Sequence, residues 1–304
     1  MFTVNKKSVV ALLLALTLLS GCSLPGLSGP AEKTVTIGTL GTAESAIMGN
    51  MVRLMVDHYT DLQTEMITNM GSSTVQHQAM MADEVDITAT RYTGTDLVGA
   101  LGMKPVKDPE KAMKIVKREF EQQFNQTWFD SYGFANSYAF TVTSKLAEKE
   151  NLKTVSDLKS IASELRLGVD SAWIRRPAVG YDSFIKTYGF EFGRVFPMNI
   201  GLVYKAVESG EMDVVLAYTT DGRLEAFDLV TLEDNKHLFP PYDSSPVVRN
   251  EVLKKHPELR DIIKKLAGEI STKKMREMNY QANVKMKEPR IVAEEFLEKN
   301  NYFE

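Results

Sequence analysis

The sequence predicts an α/β protein built as two lobes, and three observations carry that prediction. Strand and helix patterns alternate along residues 33–241 with short links, which favours α/β units around a parallel sheet. The order strand, helix, strand, helix, strand of residues 33–137 recurs in residues 138–241. The remaining stretch, 242–304, shows helical patterns only. We expect this tail to return to the first lobe, so that more than one crossing joins the lobes.

The first half opens with short strands on either side of an amphipathic helix. Val35–Leu40 predicts the first strand, and Leu62–Thr68 predicts a second strand with rough alternation. The helix between them places Ile47, Met51, Leu54 and Met55 on one face. This pattern predicts a sheet with a helix packed against it.

A second helix begins after Gly71, where two serines can cap it, and a strand that ends at Tyr92 follows it. Pro109–Phe124 reads as a long amphipathic helix, and Trp128–Phe134 reads as an aromatic loop. In the second half, the predicted strands are Tyr138–Val142, Leu165–Val169, Val195–Pro197 and Met212–Tyr218. In the tail, the predicted helices are Asn250–Lys255, Leu259–Gly268, Thr272–Lys285 and Ile291–Asn300.

Residues 1–21 form a predicted signal peptide. Lys6 and Lys7 precede an apolar run that is too short for a stable transmembrane helix. The run ends in Leu-Ser-Gly-Cys, which resembles the bacterial lipobox and implies that Cys22 carries lipid. The alternative is a secreted protein with a chance cysteine at its cleavage site. Residues 22–32, which are rich in Gly, Ser and Pro, then form a tether that holds the body outside the cell membrane.

Composition and motifs limit the possible functions. The chain has 304 residues, of which 43% are hydrophobic and 25% charged, and a formal net charge of -4, which argues against nucleic acid as a partner. Cys22 is the only cysteine, so no disulfide can form within the chain. The four histidines lack metal-ligand spacing, and the common hydrolase, phosphate-binding and zinc-protease motifs are missing. We therefore expect no enzyme, no metal and no cofactor.

Four tyrosines fall where a ligand cleft is expected. Tyr92 and Tyr218 end equivalent strands, Tyr138 begins the strand that enters the second lobe, and Tyr242 lies where the chain leaves that lobe. Aromatic faces around a cavity suit a quaternary ammonium ion, because it has no N–H donors and is held by cation–π attraction of about 0.5–2 kcal/mol per face. The alternative is coincidence, since buried strands commonly end in tyrosine.

Five further motifs stand beside the lipobox. They are Tyr-Thr-Gly-Thr at 92–95, Trp-Phe-Asp-Ser-Tyr-Gly-Phe at 128–134, Tyr-Ala-Phe-Thr-Val-Thr at 138–143, Leu-Ala-Tyr-Thr-Thr-Asp-Gly at 216–222 and Phe-Pro-Pro-Tyr-Asp at 239–243. Together they resemble one family, the glycine betaine/carnitine/choline-binding lipoproteins of Opu-type osmoprotectant ABC importers. The resemblance implies a two-lobed, type II periplasmic-binding-protein fold with a ligand cleft between the lobes. It also implies a monomer that delivers its ligand to ABC permease and ATPase subunits, with Tyr92, Tyr138, Tyr218 and Tyr242 as the cage.

Two further positions bear on ligand selectivity. In the family, the residue three places after the first cage tyrosine is threonine in broad-range members and aspartate in choline-restricted ones, and here it is Thr95. The alternative role for Thr95 is to cap a helix that starts at Asp96. Leu40 stands where broad-range relatives can carry an amide, so it affects the ligand range.

Two alternative functions remain open at this point. Other small amines or amino acids are alternative ligands, and an enzyme acting on choline-like compounds is the alternative from another class.

Overall fold

Two five-stranded sheets organise the protein, one in each lobe. The computed structural model describes residues 33–304 except Ala172 and Pro177, and Val35–Glu304 form one compact unit. The predicted signal peptide, Cys22 and the tether over 22–32 lie outside the described residues.

The first part of the chain supplies four strands and four helices. They are β1 (Thr34–Leu40), α1 (Ala43–Tyr59), β2 (Gln63–Met70), α2 (Ser73–Met81), β3 (Ile87–Tyr92), α3 (Thr93–Gly99), α4 (Pro109–Phe124) and β4 (Gln126–Trp128). Ser72 caps α2 as predicted, because its side chain accepts a hydrogen bond from the Val75 backbone, and Thr42 caps α1 in the same way by accepting one from the Ser45 backbone.

The middle of the chain builds the second sheet, and the tail is mainly helical. The middle elements are β5 (Tyr138–Thr143), α5 (Ser144–Lys149), two short 3-10 helices (Val155–Ser160 and Ala162–Glu164), β6 (Arg166–Asp170), α6 (Tyr181–Tyr188), β7 (Arg194–Met198), α7 (Ile200–Glu208), β8 (Val214–Tyr218), α8 (Arg223–Ala226) and β9 (Leu229–Thr231). The tail elements are β10 (Ser244–Arg249), α9 (Asn250–Lys255), α10 (Leu259–Lys264), α11 (Thr272–Asn283) and α12 (Pro289–Lys299).

The first sheet has the strand order β2-β1-β3-β10-β4. Strand β1 runs parallel to β3, whereas β10 runs antiparallel to both β3 and β4. The expectation of a tail without strands was therefore wrong. Strand β10 begins with two serines and a proline, and the register shifts where Pro246 stands between Ser245 and Val247. A proline at a bulge keeps a strand in the sheet but hides the strand pattern in the sequence.

The second sheet has the order β7-β6-β8-β5-β9. Strand β6 pairs in parallel with β7 and β8, and β5 pairs antiparallel with β8 and β9. Both sheets are thus mixed, and the expectation of a parallel sheet was wrong for the strands that follow a crossing. A chain that enters a lobe from the other lobe is free to run in either direction beside its neighbour.

Separate apolar cores support the two lobes. In the first lobe, α1 packs between the sheet and the tail helices, so that Ile47 and Met51 share a core with Leu297. In the second lobe, Phe140 and Phe184 form the centre of an aromatic core, with ring centroids 4.9 Å apart. The predicted face of α1 is confirmed by the burial of Ile47, Met51 and Met55, and Leu54 is half-buried at its edge.

The two crossings between the lobes run side by side. Ala135 and Asp243 form an antiparallel bridge, and the Asn136 backbone N–H donates to the Tyr242 carbonyl at 3.2 Å. The loop after β8 in the second lobe is also fastened to α11 in the first. The Arg276 Nε donates to the Thr219 carbonyl at 3.0 Å. Gly222 packs directly against the α11 backbone, since a β-carbon on Gly222 would lie only 2.4 Å from the Tyr280 nitrogen.

Candidate functional site

A cleft of about 700 Å³ is lined by residues of both lobes and of the crossings. Its walls contain all six residues that the sequence singled out, which are Leu40, Tyr92, Thr95, Tyr138, Tyr218 and Tyr242. The tyrosines thus line one cavity although as many as 150 residues separate them in the chain.

Tyr138 and Tyr218 form a pair on adjacent strands of the second lobe. They are directly opposite each other on β5 and β8, their ring centroids lie 5.0 Å apart, and their hydroxyl oxygens lie 3.4 Å apart. Arg176 donates from Nη1 to the Tyr138 hydroxyl at 3.1 Å, and its Cζ lies 5.8 Å from the ring centroid. The Tyr204 hydroxyl accepts a hydrogen bond from the Tyr218 backbone N–H at 3.0 Å. The sheet register and these bonds fix both rings.

Tyr92 stands at the end of β3 in the first lobe and is held by a carboxylate. Its side chain is buried, and its hydroxyl donates to Oε1 of Glu44 at 2.5 Å. Burial, and then the neighbouring Glu44, raise the pKa of Tyr92 well above its ordinary value. Burial also raises the pKa of Glu44, although hydrogen bonds from Thr220, Tyr92, Asn136 and Asn279 act in the opposite direction. Tyr92 therefore stays a neutral donor to this acid.

Tyr242 lies on the second crossing, packed closely against the start of α3. A β-carbon on Gly94 would lie 3.1 Å from Cε1 of Tyr242 and 2.6 Å from the Pro241 carbonyl. The Thr93 hydroxyl donates to that same carbonyl at 3.0 Å. Only a glycine at position 94 permits this approach without displacement. The glycine of the Tyr-Thr-Gly-Thr motif thus has a packing role beside the cleft.

Thr95 and Leu40 lie in the first-lobe wall of the cleft. Thr95 is inside α3, which begins at Thr93, and the residue at the N-cap is Tyr92. The alternative that Thr95 caps a helix was therefore wrong. Leu40 ends β1, and its backbone N–H donates to the Ser45 hydroxyl at 2.8 Å.

Sequence reasoning missed most polar residues of the cleft wall, among them Glu44, Asn136, Arg176 and Asn279. Asn279 belongs to the tail helix α11, and nothing in the sequence indicates that this helix reaches the cleft. Arg176 could have been found, because it follows β6 and the cleft lies at strand ends.

The structure offers neither a metal site nor a membrane-spanning helix in the described part of the chain. Within residues 33–304, no group of three or more His, Cys, Asp or Glu could hold a metal ion. In the same part of the chain, no helix combines the length and apolar character needed to cross a bilayer.

Comparison with known proteins places the chain in a family. It is 53% identical over 304 residues to the carnitine transport binding protein OpuCC of Listeria monocytogenes, covering 98% of this chain and 99% of that one. It is 30% identical to the ergothioneine transport permease/ergothioneine binding protein EgtU of Helicobacter pylori, covering 88% of this chain and 48% of that protein. A crystal structure of a glycine betaine/carnitine/choline ABC transporter superposes with a TM-score of 0.86 at 51% identity, covering 89% of this chain and 100% of that one. The model of the substrate-binding domain of ABC-type glycine betaine transport systems matches residues 33–299, and the chain belongs to that family.

Proposed function

We propose that this protein captures quaternary-ammonium compatible solutes, namely glycine betaine, carnitine and choline, and delivers them to an ABC permease and its ATPase for osmoprotection. The observation that carries the proposal is the set of four tyrosines around one cleft between two lobes. Family membership supplies the general function, a substrate-binding protein of an ABC importer. The tyrosines supply the chemical class of the ligand.

The cleft offers a separate partner for each end of a zwitterion. Tyrosine rings attract a trimethylammonium group through their faces, because that group offers no N–H for a hydrogen bond. Arg176 is exposed in the cleft wall, and no ion pair of it occurs among residues 33–304. A guanidinium without a carboxylate partner is suited to bind the carboxylate of betaine or carnitine. We propose Arg176 for that role and Tyr92, Tyr138, Tyr218 and Tyr242 for the cage.

The ligand range depends on two uncharged side chains of the first-lobe wall, Thr95 and Leu40. Thr95 carries no charge that would repel a carboxylate, and Leu40 offers no side-chain hydrogen bond to a ligand. One relative is named for carnitine and another for ergothioneine, and both ligands combine a trimethylammonium with a carboxylate. These names support a zwitterion rather than choline as the preferred ligand.

Titration calorimetry of the purified protein tests the proposal. The panel is glycine betaine, carnitine, choline, ergothioneine and proline, in which proline serves as the control because its ammonium carries N–H donors. We expect at least one quaternary ligand to bind well ahead of proline. Preference for proline over every quaternary ligand would overturn the cage, and turnover of any ligand would favour the enzyme alternative.

We propose that lobe 1 comprises 33–137 completed by 242–304, that lobe 2 comprises 138–241, and that the lobes close on the ligand. Closure predicts a smaller scattering radius with saturating ligand, together with a higher melting temperature by mass action. A radius that stays constant on binding would favour a rigid site.

We further propose that residues 1–21 are removed, that Cys22 carries lipid, and that the monomer is held on the extracellular face of the cell membrane by the tether 22–32. The motif before Cys22 supports this anchor. Cys22→Ala should block lipidation and release or misprocess the protein, as cell fractionation would measure. Full retention of that variant in the membrane fraction would contradict the anchor.

A further inference from the structure

Glu44 is a buried acid in the wall of the ligand cleft. Glu44 is the second residue of α1, and only 3% of its surface is exposed. The first turn of a helix favours an anion, because its backbone N–H groups are unpaired and the helix dipole is positive at that end. Glu44 is nevertheless a carboxylate largely removed from water, in direct contact with a cage tyrosine.

All the side chains that bond to Glu44 are neutral. Tyr92 donates its hydroxyl to Oε1, Asn136 donates from Nδ2 to Oε1 at 3.1 Å, and Asn279 donates from Nδ2 to Oε2 at 3.3 Å. No ion pair of Glu44 occurs in the described part of the chain. Both arginines in the cleft wall are bonded elsewhere. Arg176 donates to Tyr138, and Arg223 pairs with Asp221 at 2.6 Å.

A buried carboxylate without a cation is costly, and the cost disappears when a positive charge arrives. The hydrogen bonds from Tyr92, Thr220 and the two asparagines lower the cost but do not neutralise the charge. A ligand ammonium seated on the Tyr92 ring would be the missing cation. By accepting the hydrogen bond from Tyr92, the carboxylate would also polarise the O–H bond and increase the negative charge of the phenol ring. The ring face that the ammonium meets would then attract it more strongly.

We propose that Glu44 is the counter-charge for the ligand's quaternary ammonium and acts on it through Tyr92 as a positioning residue. The proposal rests on the proposed function, since it concerns the same cleft. It makes Glu44 the residue that distinguishes a cationic head group from a neutral one of the same shape. A purely structural Glu44 would hold Tyr92, Asn136 and Asn279 in place without sensing the charge of the ligand.

The test compares two ligands that differ only in charge at one atom. Glycine betaine and tert-butylacetate (the 3,3-dimethylbutanoate anion) have the same shape, but a neutral carbon replaces the ammonium nitrogen in the second. We expect Glu44→Gln to lower the ratio of betaine affinity to tert-butylacetate affinity about tenfold. An equal loss for both ligands, with the ratio unchanged, would show a structural role and overturn the proposal. A wild type that binds no betaine would overturn the proposed function instead.

Two matched variants sharpen the result. Glu44→Asp keeps the charge, so its ratio should remain close to that of the wild type even if both affinities fall. Asp243→Asn removes a half-buried acid from the second crossing, outside the cleft wall, and should leave the ratio unchanged. A drop in the ratio for Asp243→Asn equal to that for Glu44→Gln would overturn a specific role for Glu44.

A measurement on the wild type covers the case in which Glu44→Gln does not fold. NMR of protein labelled at the glutamate carboxyl carbons follows the titration of Glu44 with and without betaine. Of the groups that bond to Glu44, only Tyr92 is titratable, and it stays neutral in this range. Asp221, also in the cleft wall, is paired with Arg223. Betaine should lower the pKa of Glu44, and a midpoint that betaine leaves in place would overturn the proposal.

Discussion

The two halves of the proposed tyrosine cage are held by different chemistry. In the second lobe, Tyr138 and Tyr218 support each other across two strands and are covered by Arg176. In the first lobe, Tyr92 depends on a hydrogen bond to the buried Glu44. A tyrosine that relies on strand register keeps its place when a polar neighbour is lost. The position of a tyrosine that is held by a buried acid depends on whether that acid is ionised.

The halves also differ in charge. The first-lobe wall carries the anion Glu44, and the second-lobe wall carries Arg176. A zwitterion can therefore lie with each end facing a complementary charge.

Adding charge to the first-lobe wall should change selectivity most. A carboxylate at position 95 would attract every ammonium but repel the carboxylate of betaine and carnitine, and choline escapes that repulsion. Thr95→Asp should therefore raise the choline-to-betaine affinity ratio about 30-fold, or ~2 kcal/mol. Calorimetry on wild type and variant measures the ratio. An unchanged ratio would mean that position 95 does not face the ligand's carboxylate.

Removing a ring from either half should weaken binding at least tenfold, or about 1.4 kcal/mol. Tyr92→Ala and Tyr218→Ala test this in the first and second lobes, respectively, by betaine calorimetry. Both residues end strands beside the cleft, so the fold should survive, as circular dichroism would verify. Normal binding by both variants would refute the cage.

Removing only a hydroxyl should separate the two halves. Tyr92→Phe deletes the donor to Glu44 and leaves a buried carboxylate with one fewer hydrogen bond, so betaine affinity should fall about fivefold. Tyr218→Phe deletes a hydroxyl whose contact with that of Tyr138 is 3.4 Å long, so its affinity should change less than twofold. Equal losses would contradict the difference in how the two tyrosines are held.

The smallest expected effect is on stability against pH. Burial raises the pKa of Glu44 above its unfolded value of 4.5, so its ionised form costs stability at neutral pH. That cost is relieved as pH falls through the raised pKa, because the folded protein takes up the proton first. The melting temperature of the ligand-free wild type should therefore rise relative to Glu44→Gln by about 2 °C as pH is lowered from neutral toward 4.5. A constant difference across that range would contradict the burial of an ionised Glu44.

The sequence predicts the parts of this protein that depend on local pattern. Helix α4 is found at Pro109–Phe124 as its amphipathic pattern indicates, and Tyr138 begins β5 as expected. Strand β10 escapes notice because Pro246 and two serines disguise it, and only its partners β3 and β4 define it as a strand. Glu44 and Asn279 escape notice for a similar reason. An acid in the first turn of a helix normally faces solvent, and only long-range packing buries this one.

The fastening of the loop after β8 to α11 has a mechanical consequence. The Thr219 and Thr220 carbonyls accept bonds from Arg276 and Asn279, and Gly222 lies against the α11 backbone. If the lobes close on the ligand as proposed, this loop is the point about which they rotate, and the atoms nearest to it move least. The cleft would then open most at the side farthest from this loop. A side chain at Gly222 would collide with the Tyr280 backbone and hold the two elements apart before any ligand arrives.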